Sequence, residues 1–317
     1  MNKQILSLHP LRDAQIETIK TAVPDVLLHI AKPEDAAPYF ADAEILLAFG
    51  QTNLAPILPQ APKLRWVQAL TAGVDEFLAL DAFRESEILL TNVRGIHGIP
   101  IAEHVLGMIL AKTRGLLTAH DNQRSKRWKG LRGVDEVYGK TAAIVGLGSV
   151  GSVIANRLKA MGMTVLGVKQ SMTEEPDVDK LYQHSALFEV LPQADFVIVT
   201  LPLTPETRNL FSQKAFEVMK PSAFFVNVAR GPIVNEDDLA EALRTGKIGG
   251  AGLDVFCEEP LPESSPLWDA PNLLITPHHA ATSPRYMERA VEVFAENLKA
   301  YPDASKMKNI IDKKRGY

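Results

Sequence analysis

The sequence predicts an α/β protein with two doubly wound parallel sheets. Short apolar runs alternate with helix-length amphipathic segments from the start, a pattern typical of parallel strands joined by helices. The pattern changes after Arg94, where a long helical segment begins, and a second strand-and-helix series starts near Lys140. A chain of 317 residues with 46% hydrophobic side chains is longer than one layered domain usually needs. We therefore expect two domains.

The predicted elements follow one another in a regular order. The strands of the first series are QILSLH, VLLHI, ILLAF, LRWVQAL and ILLTNV. IPIAEHVLGMILAKTRGLLTAH then forms one long helical pattern, with Pro100 in its first turn and no later proline. The strands of the second series are TAAIV, MTVLGVK, DFVIVTL, AFFVNVA, GGAGLDV and NLLITP. A last helical pattern runs from Pro284 to Tyr301.

Composition argues against several classes of partner and site. The chain has 34 Lys and Arg against 38 Asp and Glu, so it lacks a broad positive field for nucleic acid or anionic membranes. The single cysteine, Cys257, excludes an intrachain disulfide and a multi-cysteine zinc site, and it suits a reducing compartment. No apolar run approaches the roughly 20 residues of a membrane helix. We expect a cytoplasmic protein with no metal, nucleic-acid or membrane partner.

A glycine-rich turn, GLGSVG, joins the predicted strand TAAIV to the next helix. At such a turn the first glycine of G-x-G-x-x-G permits the tight bend, and the second lets the backbone approach a pyrophosphate. The third lets the helix pack close to the strand, and the helix N-terminus attracts phosphate charge. The alternative is a structural glycine turn. The context predicts a dinucleotide site formed by Gly146, Leu147, Gly148, Ser149, Val150 and Gly151.

The end of the next predicted strand bears on which dinucleotide binds. NAD-binding proteins place Asp or Glu there to accept hydrogen bonds from the ribose hydroxyls. This sequence has Lys169, Gln170 and Ser171 instead. A lysine cannot accept those bonds but pairs with the 2′-phosphate of NADP, so the sequence favours NADP over NAD. An acidic residue of the following loop, turned towards the ribose, would favour NAD; the candidates are Glu174, Glu175, Asp177 and Asp179.

Nearly the whole chain resembles the D-isomer-specific 2-hydroxyacid dehydrogenase family, and five motifs in the family's order carry the resemblance. They are GLGSVG, LPLTPET from Leu201 to Thr207, NVARG with Arg230, the Asp-Val-Phe-x-x-Glu-Pro pattern from Asp254 to Pro260, and Pro277-His278. The resemblance includes glyoxylate/hydroxypyruvate reductases and phosphoglycerate dehydrogenases. It implies a Rossmann nucleotide-binding domain, residues 97–283, inserted into a flavodoxin-like substrate domain, residues 1–96 plus 284–317. It also implies NAD(P)-dependent, reversible hydride transfer between the cofactor and a small 2-oxo acid or D-2-hydroxy acid.

Three titratable residues that follow predicted strands suit this chemistry. Reduction of a 2-oxo acid needs a cation for the carboxylate and a proton donor for the ketone oxygen. Arg230 offers a bidentate fork, and His278, paired with Glu259, can carry the proton. We expect all three to be catalytic, with Arg230 and His278 also binding substrate. Each one alone would more often be a surface ion-pair partner or a solvated loop residue.

Adjacent residues of the same type leave two choices inside these motifs. His279 follows His278, and Glu258 precedes Glu259. The family pattern places the catalytic histidine directly after Pro277 and the catalytic glutamate directly before the next proline, which selects His278 and Glu259. His97, between two glycines, is expected to be a solvated loop residue.

The resemblance implies further contacts with cofactor and substrate. The implied cofactor contacts are Asp254 and the Ala229 backbone on the nicotinamide, and Thr200, Leu201, Pro202 and Thr207 on the adenosine and phosphate side. The implied substrate contacts are Ala72, Gly73 and Val74 in TAGVDEF, a turn whose exposed amides can form an anion-binding nest. The alternatives are a turn cap for Asp254 and an ordinary helix-entry turn for Gly73.

The resemblance implies a homodimer that uses the bridging helix and the following arm, from Ile99 to about Arg132. The alternative is burial of the same apolar face within one chain. A second interpretation of the whole chain is an NAD(P)(H)-sensing binding protein of corepressor type without metabolic turnover. The full set of Arg230, Glu259 and His278 favours the enzyme.

Overall fold

The computed structural model describes residues 3–315, which divide into two compact units. The terminal unit comprises the residues up to Ile96 and those from Ser283 onward, and the central unit comprises His97–Thr282. The central unit is therefore inserted between two parts of the terminal unit along the chain.

Each unit is built from parallel strands and the helices between them. The strands of the terminal unit are β1 (Lys3–Ser7), β2 (Val26–Ile30), β3 (Ile45–Ala48), β4 (Trp66–Ala69) and β5 (Leu89–Thr91). The strands of the central unit are β6 (Thr141–Val145), β7 (Thr164–Lys169), β8 (Lys180–Gln183), β9 (Phe196–Val199), β10 (Phe224–Asn227), β11 (Gly250–Leu253) and β12 (Leu273–Ile275). The helices are α1 (Asp13–Ala22), α2 (Ala37–Phe40), α3 (Asp75–Ala79), α4 (Asp81–Arg84), α5 (Gly98–Thr113), α6 (Leu116–Arg124), α7 (Ser149–Ala160), α8 (Leu187–Val190), α9 (Gln213–Val218), α10 (Glu236–Arg244) and α11 (Tyr286–Ala300).

Both sheets are entirely parallel, which confirms the predicted fold class. The terminal sheet has the order β2-β1-β3-β4-β5, the flavodoxin-like arrangement. The central sheet has the Rossmann order β12-β11-β10-β9-β6-β7-β8. The strand order reverses between β6 and β9, and doubly wound sheets bind ligands at such a switch point, beyond the carboxyl ends of the strands. The candidate site residues of the central unit lie at this edge of its sheet.

Burial on both faces explains why most strands have almost no polar residues. All four residues of β9, FVIV, and the apolar FFV of β10 are buried between two helical layers. One apolar cluster covers each face of the central sheet, with Val197 and Phe225 in one and Ile198 and Val226 in the other. Such a sheet is held rigidly, so the loops at its edge start from well-defined positions.

Two features differ from the sequence expectations. The predicted single helix from residue 99 to 120 is wrong, because α5 ends at Thr113 and α6 begins at Leu116. Gly115 has φ +62° between them, a left-handed conformation that ends a helix and that glycine adopts without steric cost. The edge strand β8, KLYQ, was missed because it is short, polar and partly exposed. Among residues 3–315, no helix has the length and apolar character needed to cross a membrane.

Candidate active site

The glycine-rich turn after β6 has the shape that a dinucleotide needs. Gly146 has φ +106°, and a side chain at Gly151 would collide with the Gly146 carbonyl oxygen, so the strand and α7 approach closely. A Cβ at Gly148 would instead meet no heavy atom within 4 Å, which leaves open space beside the backbone. Gly148 is also the N-cap of α7, and no side chain caps it. Open space beside an uncapped helix N-terminus fits a bound pyrophosphate.

The predicted residues within this turn differ in their exposure. Leu147 is buried and packs into the core, whereas Ser149 is exposed and Val150 is half-buried. Leu147 can therefore meet a cofactor only through its backbone.

The loop after β9 lies against this turn. Thr200 donates its hydroxyl hydrogen to the carbonyl oxygen of Gly146. Thr207 is buried, donates to the Pro202 carbonyl at 2.8 Å and accepts from the Thr204 amide at 2.8 Å. Leu201 is half-buried, and Pro202 is exposed. Thr200 and Thr207 thus hold the loop in shape beside the glycine turn.

The residues at the end of β7 form a paired cluster of charges. Lys169 Nζ lies 2.6 Å from Glu175 Oε1 and donates to Thr173 Oγ1 at 2.9 Å. Glu175 Oε2 accepts from Ser152 Oγ, in the first turns of α7, at 3.1 Å. The ion pair is well shielded, because the side chains of Lys169 and Glu175 are 13% and 17% exposed. Gln170 and Ser171 are exposed.

His278 and Glu259 form a hydrogen-bonded pair. His278 Nδ1 lies 2.6 Å from Glu259 Oε2, and the other carboxylate oxygen, Oε1, accepts from the Phe256 amide at 2.9 Å. The His278 side chain is 53% exposed. Among residues 3–315, no hydrogen bond or ion pair joins Glu258 to His278. The ring of His279 lies against the ring of His104, with the ring centroids 5.2 Å apart.

Arg230 follows β10 in a turn held by Asn227. The side chain of Asn227, completely buried, accepts from the Ala229 amide and donates to the Arg230 carbonyl, both at 3.0 Å. Arg230 Nη1 donates to the Ala229 carbonyl at 2.7 Å. A side chain at Gly231 would collide with the backbone of Phe256. The turn that presents Arg230 therefore packs directly on the segment that carries Glu259.

Asp254 lies at the end of β11, almost fully buried. Its carboxylate accepts from Thr276 Oγ1 at 2.6 Å and from the amides of His279 and Ala280 at 3.0 and 2.9 Å. His104, on α5, contacts Thr276 Oγ1 through Nε2 at 3.0 Å. All the hydrogen bonds recorded for this carboxylate therefore go to the segment around His278.

His97 is a further residue of this region, and the expectation that it is solvated is wrong. It is the N-cap of α5 and only 6% exposed. Burial, with a smaller contribution from the charge of Arg230, lowers the pKa of His97 to about 4. A histidine between two glycines is typical of a mobile loop, so no local signal in the sequence indicates this burial.

The turn Ala72–Val74 belongs to the terminal unit and follows β4. Thr71 Oγ1 donates to the Gly73 carbonyl at 2.7 Å, and Asn92 Nδ2 donates to the Ala72 carbonyl at 2.7 Å. The amides of Ala72, Gly73 and Val74 make no hydrogen bond to any residue that the structure describes. Amides turned away from their own chain are what an anion-binding nest requires.

The chain is similar to known proteins in both sequence and structure. Residues 106–280 match the model of the "D-isomer specific 2-hydroxyacid dehydrogenase, NAD binding domain". The chain is 37% identical to glyoxylate/hydroxypyruvate reductase B of Pectobacterium carotovorum over 248 residues, which is 76% of this chain and 77% of that protein.

Two solved structures cover the chain almost completely. A D-isomer specific 2-hydroxyacid dehydrogenase family protein from Aeromonas salmonicida is 39% identical with a TM-score of 0.89, covering 99% of this chain and 100% of its own. A D-isomer specific 2-hydroxyacid dehydrogenase from Xanthobacter autotrophicus, in complex with NADPH and MES, is 29% identical with a TM-score of 0.86 and covers 100% of both chains.

The buried His97 predicts a pH-dependent stability. The unfolded chain binds a proton at this imidazole below about pH 6.5, whereas the native state resists protonation until about pH 4. The stabilisation is complete above about pH 6.5 and is lost as the pH falls towards about 4. Between about pH 7.5 and 5, we expect His97 to account for about 2 kcal/mol of lost unfolding free energy. Urea unfolding of the wild type and of His97→Gln at both pH values measures it.

The exposed His120 provides the matched control. His120→Gln should decline with pH as the wild type does, while His97→Gln should decline less. Equal losses in all three proteins would show that burial of His97 has no such effect.

Proposed function

The chain belongs to the D-isomer specific 2-hydroxyacid dehydrogenase family, and on this premise we propose that Arg230, Glu259 and His278 reduce small 2-oxo acids with hydride from NADPH. The chain is thus an NAD(P)-dependent oxidoreductase that acts on the 2-oxo acid and D-2-hydroxy acid pair. The comparisons lend no support to the corepressor alternative. The observation that carries the catalytic assignment is the 2.6 Å hydrogen bond between His278 and Glu259.

The division of labour between the units is part of the proposal. The central unit binds the nucleotide, supported by the family model that matches residues 106–280 and by the open space at Gly148. The terminal unit binds substrate through the amides of Ala72, Gly73 and Val74. The single cysteine supports a place in the reducing cytoplasm.

The hydrogen bond to Glu259 decides which ring nitrogen of His278 donates the proton. An ionised Glu259 only accepts hydrogen bonds, so Nδ1 carries a hydrogen in both protonation states of the ring. The proton that moves is therefore the one on Nε2, which goes to the oxygen on carbon two of the substrate. The Phe256 amide orients Glu259, and Glu259 in turn orients the imidazole of His278 through Nδ1.

Arg230 binds the substrate and assists the reduction. Its planar guanidinium pairs with the substrate carboxylate and polarises the neighbouring ketone. When bound, the nicotinamide supplies the hydride to carbon two. The relative named glyoxylate/hydroxypyruvate reductase B supports glyoxylate and hydroxypyruvate as the first substrates to test.

The first test is the loss of nicotinamide absorbance with a panel of 2-oxo acids. We expect NADPH-dependent reduction of glyoxylate and hydroxypyruvate. His278→Ala should lower kcat by about 10²- to 10⁴-fold, because the general acid is lost. Arg230→Met should lower kcat/KM by at least about 10²-fold, because the substrate loses its charge-assisted bonds.

The neighbouring residues provide matched controls. Glu258→Gln and His279→Ala should keep kcat within about threefold, whereas Glu259→Gln should lower it, because only the second glutamate contacts His278. Loss of turnover confined to His279→Ala or Glu258→Gln would refute the choice of catalytic residues. Cofactor binding without reduction of any acid would refute the proposed enzyme.

The preference for NADP over NAD rests on Lys169. A lysine at the end of β7 attracts the 2′-phosphate of NADP. Its pairing with Glu175 opposes this preference, because the carboxylate neutralises the cation and would repel a phosphate. The structure of the Xanthobacter autotrophicus relative contains NADPH, which supports the same choice here. We propose that Lys169 would leave Glu175 to pair with the 2′-phosphate, so the preference for NADPH is moderate.

Variants of this ion pair test the cofactor preference. Glu175→Gln should tighten NADPH binding by about tenfold, because Lys169 is freed and the repelling charge is removed. Lys169→Asp should weaken NADPH binding and favour NADH. The Kd values of NADPH and NADH, measured by protein fluorescence, decide the matter. Unchanged Kd ratios in both variants would show that the pair does not face the ribose.

A homodimer through α5, α6 and the following arm is the proposed assembly. Apolar side chains are exposed along this stretch, with Leu116 and Leu117 about half exposed and Trp128 fully so. Contiguous exposed apolar groups are typical of a subunit interface.

We expect sedimentation to give about twice the 34.8 kDa mass of one chain. Trp128→Ser with Leu117→Ser should shift the equilibrium towards the monomer, because the buried apolar contact is lost. Serine at Met172, an exposed apolar residue outside this stretch, is the control. A wild-type species of single-chain mass would contradict the proposal.

A further inference from the structure

We propose that Thr276 and His104 are positioning residues for the catalytic histidine and act on it through Asp254. The inference rests on the proposed role of His278 as proton donor. It adds two residues, neither of which contacts substrate, that determine where the imidazole lies.

His278 is held in a conformation that its own loop does not favour. Its φ is +48°, in the left-handed region that residues with a side chain rarely adopt. The side chain is half exposed, so packing does little to hold it. Pro277, the residue before it, has no amide hydrogen to donate. Other hydrogen bonds must therefore maintain the loop.

Asp254 supplies most of these bonds. Its backbone carbonyl accepts from the His278 amide at 2.8 Å. Its carboxylate accepts from the two following amides, with Oδ1 3.0 Å from His279 N and Oδ2 2.9 Å from Ala280 N. Asp254 thus accepts hydrogen bonds from the amides of His278, His279 and Ala280. Together these three bonds hold the φ of His278.

The position of the Asp254 carboxylate depends in turn on Thr276. β11 and β12 are paired with Leu253 opposite Ile275, so the residues that follow the two strands are neighbours. Thr276 Oγ1 lies 2.6 Å from Asp254 Oδ1, and an ionised carboxylate only accepts, so the hydroxyl donates. This bond selects one orientation of a carboxylate that is 2% exposed.

His104 completes the arrangement from α5. The single hydroxyl hydrogen of Thr276 goes to Asp254, so His104 Nε2 is the donor of the 3.0 Å bond to Thr276 Oγ1. Burial lowers the pKa of His104; the charge of Asp254 opposes this effect, and His279 adds to it. The ring is therefore neutral at neutral pH. His104 Nε2 is 3.7 Å from Asp254 Oδ1, too far for a hydrogen bond, so Thr276 is the link.

The test uses Thr276 because Asp254 is itself a candidate cofactor contact. Thr276→Val keeps the shape of the side chain but removes its donor and its acceptor, while Thr276→Ser keeps both. We expect Thr276→Val to lower kcat for glyoxylate by about tenfold, because a displaced catalytic group loses rate steeply. The KM for glyoxylate and the Kd of NADPH should stay within about twofold, and Thr276→Ser should restore kcat.

A second readout does not depend on turnover. The Nδ1 hydrogen shared by His278 and Glu259 should give a downfield proton NMR resonance in the protein without ligands, absent in His278→Ala. In Thr276→Val this resonance should shift or broaden, because the ring no longer keeps one position. Thr245→Val is the control and should change neither readout, because Thr245 is exposed and its hydroxyl donates to the Glu241 carbonyl at 2.7 Å.

His104 provides an independent pair of variants if Thr276→Val does not fold. His104→Leu removes the donor, and His104→Gln places an N–H near the position of Nε2. We expect a loss of kcat of about threefold in the first and recovery in the second.

Different results would contradict the positioning role and the proposed function. Unchanged kcat and resonance in Thr276→Val would overturn the positioning role. So would a loss that Thr276→Ser does not restore, or one that Thr245→Val reproduces. If His278→Ala retains full turnover, the proposed function fails instead, whatever the resonance shows in Thr276→Val.

Discussion

The parallel arrangement of the central sheet is the constraint on which the site depends. In a parallel sheet every strand ends at the same edge, so residues far apart in the sequence are brought together without any long-range design of the loops. Burial of both faces keeps this edge rigid. The residues that follow its strands are Gly146 after β6, Lys169 at the end of β7, Thr200 after β9, Arg230 after β10, Asp254 after β11 and Thr276 with His278 after β12.

The sheet brings these loops to one edge, and hydrogen bonds between the loops fix the positions of their side chains. Asn227 shapes the turn of Arg230, and the lack of a side chain at Gly231 lets that turn pack on Phe256. The Phe256 amide then orients Glu259, the partner of His278. The segment after β11 thus connects the cation, the carboxylate and the imidazole. A displacement of this segment would therefore change the positions of all three groups.

Two titratable side chains of the site each have a carboxylate partner. Lys169 is matched by Glu175, and His278 by Glu259. Pairing keeps each partly shielded charge from bearing its full desolvation cost, and a ligand must compete with the existing partner. For His97, burial instead lowers the pKa and keeps the imidazole neutral near Arg230. A neutral imidazole adds nothing to the positive field of the neighbouring Arg230.

The sequence by itself determined the strands other than β8, the glycine turn and the family, because these depend on local properties. Apolar runs buried on both faces predict strands, and G-x-G-x-x-G at a strand-to-helix turn reflects steric limits within six residues. The motifs also identified Arg230, Glu259 and His278 as candidates. Only the tertiary structure decided which groups meet. It selected Glu175 among four acids as the partner of Lys169, buried His97, and directed the Asp254 carboxylate to a segment more than twenty residues away. Hydrogen-bond partners and burial depend on how distant segments pack, and no local pattern contains that information.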